Sequence, residues 1–200
     1  MDNKQPSMVI VYHSNYGHTK RVALAVRDGA KERVDVHAID VAELRLAGHM
    51  TDTLWAQIDE AQMIVFASAV YMGSVTADFK AFMEQTSKRW FNRAWQGKLS
   101  AGIANSGGLS GDKLSVLQQL CLFAMQHGMH WVGMPLLPTG HSEKDLNRLS
   151  SFLGLMVQSV DAPVEETPCQ GDMESARWFG GHLADTLLTF WHGYKHNQES

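Results

Sequence analysis

The chain has 200 residues, 44% of them apolar, with a formal net charge of -4 and a pI near 6.2. That length suits one domain with a substantial core, while the acidic balance and scattered Lys and Arg speak against nucleic-acid binding. Two cysteines, Cys121 and Cys169, make neither a disulfide framework nor a zinc site; polar residues 1–7 lead into a first apolar run of only Met8–Tyr12, so no signal peptide or membrane span is expected and a cytoplasmic location is.

Strand and helix patterns alternate along the chain. Met8–His13 reads as a buried strand, and Thr19–Ala30 as a helix with Val22, Val26 and Ala30 on one face. Val34–Ile39 alternates as a second strand, and a weaker helical stretch covers Leu54–Ile58. Gln62–Ser68 is apolar on both faces, as a central parallel strand should be. Thr76–Lys88 follows as a helix with Phe79, Phe82 and Met83 inward. Lys98–Asn105 is the fourth strand, Asp112–Gln126 the next helix, and His130–Met134 a fifth strand closed by Pro135 and Pro138. Two more helices are expected. One covers Glu143–Val157, with Leu146, Leu149, Leu153 and Met156 aligned; the other covers Met173–Tyr194, after a surface linker at Asp161–Asp172. Five strands alternating with helices call for an α/β fold, a doubly wound parallel sheet with helices on both faces. Ligands in such sheets bind outside the carboxyl ends of the strands.

Three loops fall at that edge. Loop one, Ser14-Asn15-Tyr16-Gly17-His18-Thr19, joins a strand to a helix start with small hydroxyl residues and one glycine. It has no arginine, so a phosphate would be held by backbone N–H groups, hydroxyls and the helix dipole, with Thr19 also available as a cap. Loop two, Ala69-Val70-Tyr71-Met72-Gly73-Ser74-Val75-Thr76, puts Tyr71 and Met72 where a flat ligand could lie, with Thr76 as the next helix cap. Loop three, Asn105-Ser106-Gly107-Gly108-Leu109-Ser110-Gly111, makes an open nest of backbone donors. It is neither a nucleophile elbow nor a dinucleotide or Walker fingerprint. Together the loops describe a site for a planar ring with a phosphorylated tail.

Loop one, with Phe82-Met83-Glu84-Gln85-Thr86, Gly97-Lys98, His127-Gly128-Met129 and Glu174-Ser175-Ala176-Arg177-Trp178-Phe179-Gly180, resembles the flavodoxin-like FMN-binding family. The likeness is greatest to the NAD(P)H:quinone oxidoreductases described as tryptophan-repressor-binding proteins, and it runs from about Met8 to Leu188. It implies one flavodoxin-like domain over 1–200, strand order 2-1-3-4-5, with flexible ends at 1–7 and 195–200. It also implies FMN as cofactor, its phosphate on Ser14, Asn15, Tyr16, Gly17, His18 and Thr19. The isoalloxazine would lie between Val70, Tyr71, Met72 and Gly73 on one edge and Asn105, Ser106, Gly107, Gly108, Leu109 and Ser110 on the other. Around the substrate cavity the family places an aromatic at the position of Trp90 and a histidine at that of His127, the cavity being completed by a neighbouring subunit. Two departures stand out. The family's Pro-Thr-Arg-Phe-Gly is here Ala69-Val70-Tyr71-Met72-Gly73, and its Gly-Thr-Pro-Tyr-Gly loop after strand five gives way to His141–Arg148, read as a helix start.

The activity implied is two-electron transfer from NAD(P)H through FMN to a quinone, with one flat pocket serving both substrates in turn. Trp90 and Tyr16 would offer stacking faces, and His127 a hydrogen bond to substrate or flavin. A homo-oligomer, dimer or tetramer, is expected. The rival readings are a flavodoxin-type electron carrier and an FMN-binding adaptor without significant turnover. His127 also fits a helix C-terminal histidine, and Trp90 plain core. His192 and His196 have the spacing of a helical metal pair but no third ligand nearby, so no metal site is expected.

Overall fold

A computed structural model describes residues 5–42 and 52–198, with side chains described to residue 193. The expected flexible ends lie outside the described residues at 1–4 and 199–200. Residues 5–7 are held: the Gln5 side chain donates to the Arg33 carbonyl, and Ser7 begins the first strand.

That strand, β1 (Ser7–His13), is apolar from Met8 to Tyr12 and buried on both sides, which only a central position allows. It leads into α1 (His18–Ala30), whose Val22, Val26 and Ala30 face the sheet. The edge strand β2 (Asp35–Asp40) alternates exposed and covered residues at its start, the mark of a strand with one wet face. Helix α2 (Asp52–Glu60) precedes β3 (Met63–Tyr71), the most apolar strand. A two-residue strand, β4 (Ser74–Val75), folds back antiparallel onto Val70 and Tyr71. The turn residues Met72 and Gly73 both have positive φ, 49° and 73°, the type I′ geometry that suits a two-residue hairpin. Gly73 thus serves the turn, and nothing packs against its open side.

The helix expected over Thr76–Lys88 divides into α3 (Ala77–Gln85) and α4 (Ser87–Phe91). Thr76 caps α3 as expected, its hydroxyl accepting from the Phe79 N–H at 3.2 Å. Then come β5 (Leu99–Ser106), α5 (Lys113–Gln126), β6 (His130–Trp131), β7 (Leu155–Gln158) and α6 (Gln170–Gln198).

The sheet order is β2-β1-β3-β5-β6, with β7 also on β5. The expected order holds, with one correction: the fifth strand is split. β6 pairs with Leu99 and Ser100 at the start of β5, and β7 pairs in parallel with Ile103–Ser106 at its end. Most of the helix expected over Glu143–Val157 is therefore turn, and its last residues are strand. The left-handed backbone of Asn147 (φ 43°) and Ser150 (φ 54°) breaks any helix there, while Leu155 and Val157 point into the core with period two. His141–Arg148 likewise starts no helix; Asp145 accepts from the N–H and hydroxyl of Ser142, closing a turn. The inserted segment closes on itself through Met134 N–H to the Phe152 carbonyl and Trp131 Nε1 to the Leu153 carbonyl.

Each face of the sheet carries its own core. α1 and α6 cover one, with Phe179, Leu183 and Leu187 buried; α2, α3 and α5 cover the other around Phe66, Phe79, Trp95 and Phe123. α1 and α6 approach through Gly29 and Gly180, where a methyl group at either position would overlap the facing helix's backbone carbonyl.

Candidate functional site

The carboxyl ends of β1, β3 and β5 open onto one pocket of about 130 Å³. Loop one lines it with Ser14, Asn15, Tyr16, His18 and Thr19; loop two with Ala69, Val70 and Tyr71; loop three with Asn105, Ser106 and Gly107; and the residue after β7 with Ser159. A cavity this size is below the roughly 300–1,000 Å³ of pockets that enclose whole small molecules, so a larger ligand would extend onto the rim.

Gly17 ends loop one in the left-handed region (φ 89°) as the residue before α1. It makes no side-chain cap, and the first turn of α1 carries no acidic residue. The N–H groups of that turn and the positive end of the helix dipole are left for an anion. Thr19 does not cap the helix; it is buried in the first turn, where its hydroxyl accepts from Asn105 Nδ2 at 3.4 Å. Asn105 Oδ1 accepts in turn from the Ser159 hydroxyl at 3.0 Å. This chain locks loop one, loop three and β7 together under the pocket. His18 Nε2 lies 3.1 Å from the Ala162 carbonyl and Arg21 donates to the Val164 carbonyl at 2.7 Å, which ties α1 to the chain after β7. None of the residues from Ser14 to Thr19, Ala69 to Thr76 or Asn105 to Gly111 is a carboxylate.

The rest of the expected cofactor set, Gly17, Met72, Gly73, Gly108, Leu109 and Ser110, lies outside this lining. Gly17 faces Val164, and Met72 stands at the hairpin tip, fully exposed, beside Gly73. Gly108, Leu109 and Ser110 continue loop three outward, where Leu109 and Ser110 border a separate open cavity against α5. Tyr16 is 76% exposed on the rim.

Trp90 and His127 sit elsewhere in the single chain. Gly128 accepts from the Gly97 N–H just ahead of β5, so His127 lies at the amino end of the sheet, and the length of β5, about 23 Å by the rise of a strand, separates that end from Ser106. His127 is buried between Trp95 and Phe123, ring centroids 4.5 and 4.9 Å away. The Thr86 hydroxyl donates its one proton to the Met83 carbonyl and so accepts from His127 Nε2 at 2.9 Å. That leaves Nδ1 as a buried, unpartnered acceptor. Burial, with Arg93 beside it, pushes the imidazole down to about 4, so the ring is neutral at pH 7. Trp90 is half-exposed next to the exposed Phe91.

Ser159 is a pocket residue that sequence reasoning missed, and Ala69, read as the start of loop two, lines the pocket without having been assigned to the ring. Ala69 has no chemical signature, and the helix expected over Glu143–Val157 hid the strand that delivers Ser159. No group of three or more potential metal ligands occurs among the described residues, and the side chain of His196 lies outside them.

Residues 7–143 match the model of the NADPH-dependent FMN reductase family. The chain belongs to that family. It is 39% identical over 180 residues to flavodoxin FldP of Pseudomonas aeruginosa, covering 88% of this chain and 94% of that one. It is 27% identical to an NAD(P)H dehydrogenase (quinone) of Syntrophus aciditrophicus, over 88% of this chain and 95% of the relative. Among solved structures, a flavodoxin, WrbA-like protein from Agrobacterium tumefaciens superposes with a TM-score of 0.72 at 36% identity, covering 92% of this chain and 99% of that one. The fold is flavodoxin-like, and FMN is the cofactor. The donor set fits it: an uncapped helix start beside hydroxyls suits the phosphate, and two flanking loops at the rim suit the ring.

Proposed function

We propose that the protein is an FMN-dependent oxidoreductase that takes two electrons from NAD(P)H and delivers them to a quinone. The observation that carries this reading is the character of the rim. Tyr16 and Tyr71 line the pocket with exposed rings, Met72 and Leu109 stand exposed farther along the same loops, and the three loops contain no carboxylate. Such a surface suits a flat, uncharged acceptor, whereas protein-to-protein electron carriers rely on charged rims to steer docking. The relative from Syntrophus, named an NAD(P)H dehydrogenase (quinone), supports the same reading.

FMN, when bound, supplies the two-electron relay between nicotinamide and quinone. Ser14, Thr19 and the N–H groups from Asn15 to His18 would hold its phosphate. Val70, Tyr71, Met72 and Gly73 on one side, and Asn105 to Ser110 on the other, would orient the ring and keep one face open. Tyr16 would stack on what enters. Trp90 and His127 would act only across a subunit boundary, at a neighbouring chain's flavin. Trp90 is exposed enough to do so; His127 would first have to leave its contact with Thr86. A homo-oligomer in the cytoplasm completes the proposal; no described helix is long and apolar enough to cross a membrane.

The test is steady-state oxidation of NADH and NADPH by the purified holoprotein, with and without benzoquinone. Fast quinone-dependent turnover with parallel double-reciprocal lines is expected, since one pocket serves both substrates in turn. The second reading, a flavodoxin-type carrier, is favoured by the name of the Pseudomonas relative. Negligible turnover, with a stable one-electron-reduced flavin on photoreduction, would establish it instead.

A further inference from the structure

Two lysines flank β5, and both spend their ammonium groups on backbone carbonyls. Lys98, just before its amino end, donates to the carbonyls of Asp59 and Ala61 at the C-terminal end of α2. The helix dipole favours a cation there, and Asp59 and Glu60 add attraction. Lys113 has the opposite surroundings. It is the first residue of α5, where the dipole opposes a positive charge, and it is completely buried. Asp172 of α6 attracts it but is already paired with Arg148 of the inserted segment at 2.8 Å, and Arg148 opposes its charge. The preceding residue, Asp112, is left-handed (φ 53°) and makes no capping hydrogen bond. A buried cation behind a strained residue costs stability that a helix start does not require.

What these features do is shape loop three. Lys113 Nζ donates to the Gly108 carbonyl at 2.5 Å and the Leu109 carbonyl at 3.1 Å. Gln158 Nε2 donates to the Gly107 carbonyl at 2.8 Å, and Arg148 Nη2 holds the Gln158 side chain at 3.0 Å. Three successive carbonyls are drawn toward the body of the protein. In a trans peptide the next residue's N–H points the other way, so the N–H groups of Gly108, Leu109 and Ser110 point away from Lys113 and Gln158.

We propose that Lys113 is a positioning residue for the flavin, its ammonium holding loop three so that these N–H groups meet the oxygens and nitrogens of the planar ring. The role rests on the FMN reading. It predicts a pH dependence. Burial lowers Lys113 to about 8, with Asp172 raising it and Arg148 lowering it. A ring that binds the charged form best raises the lysine's pKa on binding, so the dissociation constant is flat below pH 8 and climbs above it.

The experiment titrates the full chain, freed of flavin, with FMN and with riboflavin by fluorescence quenching between pH 7 and 9. Lys113→Met is expected to weaken both ligands about tenfold or more and to flatten the pH profile. Ser14→Ala should weaken FMN alone, because riboflavin lacks the phosphate. Parent-like affinities in Lys113→Met, or a parent-like pH slope, would overturn the role. Should that variant fail to fold, a flat profile in the unmodified protein overturns it equally. Binding of neither flavin by the unmodified protein would remove the FMN reading itself, and this role with it.

Discussion

At the carboxyl end of β5, Asn105 and Ser106 line an open pocket among hydroxyls, glycines and an uncapped helix start. At its amino end, Leu99 lies beside the segment carrying Gly97 and Gly128, and His127 is closed in by Trp95, Phe123 and Thr86. Both ends carry the histidines and aromatics that mark sites in a sequence. They differ in where backbone polarity is left over. At the carboxyl end the start of α1 has no side-chain cap, and the small-residue loops beside it offer backbone N–H groups. At the amino end the end of α5 packs against apolar rings, and His127 Nδ1 is, with His13 Nδ1 at the end of β1, one of two buried side-chain polar atoms without a partner among the described residues. Residue type does not separate a site from a core; unspent hydrogen-bonding capacity with room around it does.

The largest effect that sharpens this contrast is expected from Arg148→Met. It strands Asp172 as a buried charge, costing about 3–5 kcal/mol and lowering the melting temperature by about 10 °C. FMN affinity should fall too, because Gln158 and the Gly107 carbonyl lose their anchor. A thermal melt paired with a flavin titration checks both; an unchanged affinity would break the link between this ion pair and the pocket.

The amino end should respond in stability alone. The folded pKa of His127 is depressed from 6.5 to about 4, so the ring stabilises the fold fully above pH 6.5 and loses that contribution as pH falls toward 4. The loss is on the order of 3 kcal/mol. Denaturant unfolding at pH 7 and pH 4.5 should show a smaller drop in His127→Phe than in the parent, with FMN affinity of the folded variant unaltered. A large change in FMN affinity would put His127 in the cofactor site and erase the contrast.

Ser14→Ala reverses the pattern. Losing a hydroxyl that faces a phosphate should cost about 2 kcal/mol of binding, or roughly 30-fold in the dissociation constant. The flavin-free protein should melt nearly as the parent does. The smallest effect is expected for Trp90→Ala: a several-fold rise in the Michaelis constant for nicotinamide or quinone, worth about 0.5–1.5 kcal/mol, with FMN affinity unchanged. Identical kinetics would remove Trp90 from the proposed cavity.

Most of the fold was legible because β1, β3 and β5 are apolar runs long enough to be buried on both faces, β2 alternates as an edge strand should, and the helices between them carry clear apolar stripes. Loop one was legible for a related reason: a strand that stops at hydroxyls and glycine before a helix leaves its N–H groups with nowhere else to go. The fifth strand was not. Leu146, Leu149, Leu153 and Met156 repeat at helical spacing, yet the segment is turn followed by strand, because the end of β5 offers an unpaired row of backbone groups that Leu155–Gln158 fills. Ser159 and Arg148 were hidden with it.

The sequence by itself determined the alternating architecture, the edge where a ligand binds and the small-residue loops that receive a phosphate, since these follow from local periodicity and backbone chemistry. Only the tertiary structure decided that His127 belongs to a packed core in the single chain, that β6 and β7 share one neighbour across a long insertion, and that Lys113 turns inward to hold loop three. Each of these depends on partners distant in sequence. Burial and hydrogen bonding, unlike periodicity, are properties of the assembled chain.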